Sequence, residues 1–308
     1  MRAMSAVLTL HTVLQVENIL QVKKLLSCPC NEIRVGAEFC ENKIPPLPDI
    51  ISGLEMIKKA GKKASVIYPR LSNRKMAEVN DHLEQINRHF DSIQVVANDL
   101  GIVNRIQKEK LTHLNFLLGR QLISLPGRAR PPMSQIMGKE NLLSKFTDKQ
   151  LFNKSNFNYS LTLEFLKQNG IAGFEIDFIP QAFPQLDIFT RANLEIYIHF
   201  PSVLISLTRK CHTARYFKKN SHSCGQLCFH NLLQISDNRV GILYLYGNTL
   251  LDFPIIHLNG EGFNRLKINR KSKDKYKMVI DFNGLSPLTQ EKIAKASDFF
   301  NFFNEDFP

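Results

Sequence analysis

Cys211, Cys224 and Cys228 fall within eighteen residues in a C-x12-C-x3-C pattern, inside the segment Thr208 to His230. Thiolates are soft donors that select zinc or iron-sulfur clusters, and both want four ligands. A fourth donor must therefore come from His212, His222, His230 or a distant cysteine. Cys40 stands out because it follows a β-type run, Glu32 to Gly36, by only a few residues. Zinc usually takes closely paired C-x2-4-C knuckles, and only Cys224 and Cys228 have that spacing. One pair plus two scattered thiols favours a cluster, with zinc as the competing reading. Cys28 and Cys30 lie before the same run, so they are expected at the opposite end of it, as reduced structural thiols. Arg209 and Arg215 flank Cys211 and could balance thiolate charge or bind a carboxylate substrate.

The elements that must position these residues alternate. β-rich runs occur at Glu32 to Gly36, Ala64 to Tyr68, Ile93 to Ala97, His113 to Leu118, Gly173 to Phe178, Leu194 to Phe200 and Gly241 to Tyr246. Between them, Arg74 to Phe90 carries Met76, Val79, Leu83, Ile86 and Phe90 at helical steps, and Leu161 to Lys167 stops at Asn169-Gly170. This rhythm predicts βαβ units and an α/β, TIM-barrel-like (β/α) barrel, read as one domain over residues 1–308. In such a barrel the residues after each strand gather at one face, so Cys40 can meet the late triplet. Gly119 to Asn158, with Pro126, Gly127, Pro131, Pro132 and Gly138, is expected to be a long surface excursion of the barrel. Thr289 to Phe303 reads as a closing helix with Phe299, Phe300, Phe302 and Phe303 on its core face.

Composition narrows the classes. The chain has 308 residues, 44% of them hydrophobic, and lacks an apolar tract long enough to span a bilayer. Thr9, His11 and Thr12 interrupt the first apolar run, which makes it a poor signal peptide. Six cysteines in this length are too few for a disulfide scaffold, and the expected compartment is the reducing cytoplasm. A net charge of +12 brings a polyanionic partner into consideration. The basic stretch Gly260 to Lys277 is read as a solvated hairpin or loop, or as a nucleic-acid contact. No HExxH helix and no G-x-S-x-G elbow occurs, and His212 is too close to Cys211 in sequence to serve as its base, so hydrolysis is not favoured.

Thr208-Arg209-Lys210-Cys211-His212-Thr213-Ala214-Arg215, followed by Lys218, Lys219, Cys224 and Cys228, resembles the S-A-R-C-x-T-A-R…K-x-x-C-x-x-x-C signature of the UbiV-like, iron-sulfur branch of the collagenase-like peptidase (U-type) family. Ile33 to Cys40, Ala97 to Asn104, Gly119 to Leu122 and Leu285 to Pro287 are similar to other stretches of that branch. The loop Leu122 to Arg130 looks more like other iron-sulfur branches, and the basic excess is not typical. The resemblance implies a variant TIM barrel with Cys40, Cys211, Cys224 and Cys228 holding the iron of a 4Fe-4S cluster. It further implies oxygen-independent hydroxylation in anaerobic ubiquinone biosynthesis, in a heterodimer with a UbiU-like paralogue and with a lipid-carrier accessory protein, the oxygen coming from a prephenate-derived donor. Related branches hydroxylate tRNA or rRNA bases, so RNA is the alternative substrate.

Overall fold

The computed structural model describes residues 11–28, 30–123, 155–156, 160–179, 186, 189, 192–200, 202–229, 231–237, 241–253 and 276–281. The expected excursion beyond residue 123, most of the basic stretch and the expected closing helix lie outside the described residues.

Strands β1 (His11–Val16), β2 (Glu32–Gly36), β3 (Lys63–Tyr68), β4 (Ile93–Ala97), β5 (Leu114–Leu118), β6 (Ile171–Asp177), β7 (Glu195–Phe200) and β12 (Tyr276–Asp281) form a closed barrel in the order β1-β12-β7-β6-β5-β4-β3-β2. Neighbours are parallel throughout, including the closure of β12 onto both β1 and β7. The chain is thus an α/β barrel of the TIM type. Helices α1 (Ile19–Leu25), α2 (Leu47–Lys59), α3 (Asn73–His89), α4 (Leu100–Lys108) and α5 (Ser160–Gln168) connect strands around it. Local chemistry sets their ends. Ser72 caps α3 through Lys75 N–H and Asp99 caps α4 through Gly101 N–H, each oxygen satisfying a donor the helix leaves free. Gly170, at φ 59°, ends α5 in the left-handed turn read from Asn169-Gly170.

Between β7 and β12 the chain leaves the barrel. Strands β8 (Val203–Leu207), β9 (Leu233–Asp237), β10 (Gly241–Tyr246) and β11 (Thr249–Asp252) make an antiparallel sheet in the order β8-β11-β10-β9. The run at Gly241–Tyr246 is therefore not a barrel strand, contrary to the alternation expected of it. The tight Gly247-Asn248 connection, with Gly247 at φ 67°, folds it back on β11 as a hairpin. Six of the seven expected runs are barrel strands; the other two barrel strands are β1, which overlaps the interrupted first apolar run, and β12, whose first two residues end the stretch read as a basic loop. Lys277 is an inward-pointing residue of that strand, with its ammonium at Glu195.

The barrel's two faces differ in chemistry. Outward residues such as Ile33, Val35, Val66, Val95 and Ile196 are fully buried under the helices. Inward positions carry a small apolar cluster, including Val13, Ile67, Val96, Leu117 and Val279, and a chain of buried charges. Arg34 is fully buried. Its guanidinium pairs with Glu175 and donates from Nε to Ser65 Oγ at 3.3 Å, and it lies 3.4 Å from Glu32. His199 Nε2 meets the other oxygen of Glu175 at 2.9 Å. Burial works against every ionised group here, yet Arg34 and Lys63 hold Glu32 down to about 2 with help from Ser65 and from His11, which at 3.5 Å is too far for a well-formed hydrogen bond. Burial likewise opposes ionisation of Glu175 and Arg34, but Arg34 holds the Glu175 carboxyl below its usual range, and Glu175 and Glu32 raise Arg34.

Candidate metal centre

The backbone at the end of β2 explains where Cys40 stands. Gly36 has φ 132° and its Cα faces Ile67 O so closely that an added Cβ would sit 2.2 Å away, so only glycine lets β2 lie against β3 there. The chain then runs through Ala37, Glu38 and Phe39, all buried, to Cys40, which heads a 3-10 turn at Glu41–Lys43. The late cysteines come from the appended sheet. Cys211 is the N-cap of the short helix α6 (His212–Tyr216), its Sγ accepting from Ala214 N–H at 3.4 Å. Gln226 and Gly225, both with positive φ, turn the chain between Cys224 and the 3-10 turn Leu227–Phe229 that carries Cys228.

Hydrogen bonds join these two distant pieces. Asn42 Nδ2 donates to Ser221 O at 2.9 Å and Gln226 Nε2 to Asn42 O at 2.7 Å. Asn248 Nδ2 donates to both Phe39 O and Thr208 O at 3.0 Å, tying the strand ends ahead of Cys40 and Cys211 to one hairpin. Thr213 and Gly247 exchange two bonds of 3.0 Å, and a Cβ added at Gly247 would lie 3.5 Å from Cys228 Sγ. Phe39, Leu204, Cys228, Tyr246, Leu251 and Phe253 form an apolar cluster around this junction.

The thiols consequently sense one another. Burial pushes Cys40 up to about 12, and the nearby thiols of Cys228 and Cys211 push the same way, while the Asn42 backbone and Lys43 pull it down. Burial also raises Cys211 and Cys228, and Cys224 adds to the shift at Cys211. Cys40, Cys211, Cys224 and Cys228 are thus electrostatic neighbours, although Cys211 follows β8 of the small sheet and not a barrel strand. Among the described residues, no three His, Cys, Asp or Glu side chains are already drawn into a metal-gripping group. The donor set nevertheless suits a soft metal. Cys40, Cys211 and Cys228 share a junction where burial makes ionisation costly unless a cation compensates, and a bound metal deprotonates coordinating thiols outright.

Two groups that sequence reasoning did not single out flank this centre. Lys43 is buried with its ammonium 2.8 Å from Glu17 and bonded to the Tyr246 hydroxyl. Beneath it, Arg120 is fully buried and forks onto Glu38, with Nε–Oε1 2.5 Å and Nη2–Oε2 3.1 Å, and reaches Asp177 at 2.9 Å and Ser202 O at 3.0 Å. Asp177 in turn accepts from Leu204 N–H, so one guanidinium links the Cys40 loop to the start of β8. The only sequence signal for Lys43 was its position three residues after Cys40. Arg120 stood only within the Gly119 to Leu122 stretch that carries the resemblance, with no role attached to it.

Arg215 is exposed on α6, and Arg209 is exposed as well. Neither is among the groups that shift the cysteine thiols, a part taken by Lys43. Arg209 does line a cleft of about 640 Å³ together with Arg70, Asn98, Asp99, Gln121 and residues of β8. This cleft opens at the carboxyl ends of β3, β4 and β5, where barrel enzymes bind their substrates. The side chains of His222 and His230 lie outside the described residues. Cys28 and Cys30 precede β2 at the far end of the barrel, where Lys62 Nζ donates to both of their carbonyls. Among the described residues no helix is long and apolar enough to cross a membrane.

No family model and no curated protein matches the chain. Among solved structures it is similar to orotidine 5′-monophosphate decarboxylase from Methanocaldococcus jannaschii, at 10% identity over 96% of this chain and 100% of that one, with a TM-score of 0.42. It is also similar to the U32 peptidase Mk0906, at 9% identity over 91% and 95% of the two chains, with a TM-score of 0.41. Tryptophan synthase from M. tuberculosis is similar at 7% identity over 97% and 92%, with a TM-score of 0.42. Likeness at this level decides neither family nor chemistry, which rest on the chain's own residues.

Proposed function

We propose that Cys40, Cys211, Cys224 and Cys228 hold a 4Fe-4S cluster, and that the chain is a subunit of an oxygen-independent hydroxylase of the UbiV-like kind. The observation that carries this reading is the junction itself: a loop after β2 and a loop after β8 are hydrogen-bonded together so that their thiols perturb one another. Sequence resemblance supplies the identity of the metal group; the soft, four-thiol donor set agrees with it.

A bound cluster supplies electron transfer or an open iron, chemistry that side chains lack. The protein's own part is to position and to recognise. Arg120 locks Glu38 and, through Asp177, the entry to β8, which fixes the spacing of the two cysteine segments. Arg70 and Arg209 present guanidinium groups to the cleft beside β8, suited to a carboxylate-bearing substrate. A UbiU-like paralogue and a lipid-carrier protein are the partners this reading requires. RNA remains the alternative substrate on the strength of the +12 charge, but Lys277, counted in the basic stretch, points into the barrel and offers nothing to phosphate.

Purification without oxygen, followed by iron and sulfide analysis, tests the centre. A brown protein with about four iron and four sulfide per chain is expected; a colourless protein with stoichiometric zinc would falsify the cluster. Co-purification with a paralogue and a quinone-intermediate carrier supports the quinone pathway, whereas a salt-sensitive RNA complex shifts the substrate to RNA.

A further inference from the structure

Lys43 is an unusual neighbour for four thiols. Its aliphatic stem and ammonium are buried, and the Nζ lies 4.2 Å from the Phe229 ring centroid and 3.7 Å from that of Tyr246. Its hydrogen-bond partners are the Glu17 carboxylate at 2.8 Å and the Tyr246 hydroxyl, and Tyr246 packs with Cys228 and Phe39 in one apolar cluster. Its charge is also felt at Cys40 and Cys211. Tyr246 O–H donates to the same Glu17 oxygen at 3.0 Å, so the ammonium is held from two sides and cannot swing out to water. Glu17 acts on Cys228 in the opposite sense.

Taking the cluster assignment above as its premise, we infer that Lys43 and Glu17 are positioning residues that set the reduction potential of the metal centre. A fixed buried cation beside the sulfur ligands favours the more negative, reduced form, and a fixed buried anion disfavours it. The potential of the centre is then a balance between two opposite charges 2.8 Å apart. Lys43 therefore differs from Arg209 and Arg215, whose exposed charges water screens.

The test is a redox titration of the anaerobically purified protein with dithionite and mediators, followed by electron paramagnetic resonance. The step read is transfer of one electron from the reductant to the cluster, in which no bond of the protein forms or breaks. Lys43→Met is expected to retain iron and sulfide while its midpoint moves to more negative potential. Glu17→Gln is expected to move it to more positive potential, and Lys43→Met/Glu17→Gln to fall between. If Lys43→Met does not load iron, Glu17→Gln alone decides, because it keeps the lysine and removes only the opposing charge. A loaded variant whose midpoint equals that of the parent overturns the inference. A parent protein that carries no iron overturns the cluster assignment instead, and the two failures are told apart by iron analysis before any titration.

Discussion

The barrel interior and the cysteine junction are both buried and both polar, yet they treat their polar groups in opposite ways. Inside the barrel, Glu32, Arg34, Glu175 and His199 meet partners of opposite charge or matching hydrogen bonds, and the carboxyls are held ionised against the cost of burial. At the junction the thiols of Cys40, Cys211 and Cys228 are pushed toward their neutral form, and Lys43 only moderates this. Opposite charges that meet one another inside the barrel hold a structure, even though His199 Nδ1 there has no hydrogen-bond partner among the described residues. Thiols that burial keeps neutral are the groups whose protonation a bound cation would change most.

The difference can be broken first at Arg34. Arg34→Met removes the buried cation that Glu175 and Glu32 share, leaving them only His199 and Lys63, and removing one partner of a buried ion pair costs about 3–5 kcal/mol. Urea unfolding of the purified protein is expected to show that loss. A change under about 1 kcal/mol would mean that the interior charges are not holding the barrel. Second comes acid stability. Glu32 has a folded value near 2 against an ordinary 4.5, so its contribution is complete above pH 4.5 and is lost as pH falls from there toward 2. At about 1.4 kcal/mol per pH unit the contribution at neutral pH is at most roughly 3 kcal/mol, less the share of the long His11 contact. Glu32→Gln is expected to flatten the stability profile in that window, as followed by circular dichroism.

The junction should behave in the contrary manner. Cys211→Ala removes one buried sulfur and is expected to cost the metal-free protein about 1 kcal/mol, while bound iron falls to background. A variant that keeps its iron would remove Cys211 from the ligand set. The smallest effect belongs to Arg215. Arg215→Ala, on the exposed side of α6, is expected to stay within about 0.5 kcal/mol of the parent and to keep its iron content, measured on the same preparations. A loss of iron there would return Arg215 to the charge-balancing role that its sequence position suggested.

Much of the barrel is legible in the sequence because parallel strands buried on both faces read as short apolar runs followed by helical periodicity. Ile93–Ala97 and Leu114–Leu118 are of that kind, and they stand where the runs lie. β12 was hidden because Lys277 turns inward to Glu195 and makes a core strand resemble the end of a charged loop. The interior network was hidden for a related reason. Glu32 and Arg34, or Glu175 and Asp177, alternate with apolar residues as they would on a strand with one wet face. In a closed barrel that second face is interior, and only the topology says so. The junction was legible in its thiols, which chemistry makes rare and conspicuous, but not in Lys43 or Glu17, which are ordinary residues until the fold brings them beside Cys228.

The closure of the barrel carries a consequence for the order in which the molecule is made. β7 and β1 remain open edges until residues 276–281 emerge, since β12 bonds to both. By then the ribosome has already released Cys40, the whole of the small sheet and all the late cysteines. All four cysteines of the junction are therefore outside the ribosome while the barrel is still a curved, gapped sheet. A nascent chain stalled between residues 253 and 276 would expose two parallel edges and be prone to pair with its neighbours on the polysome.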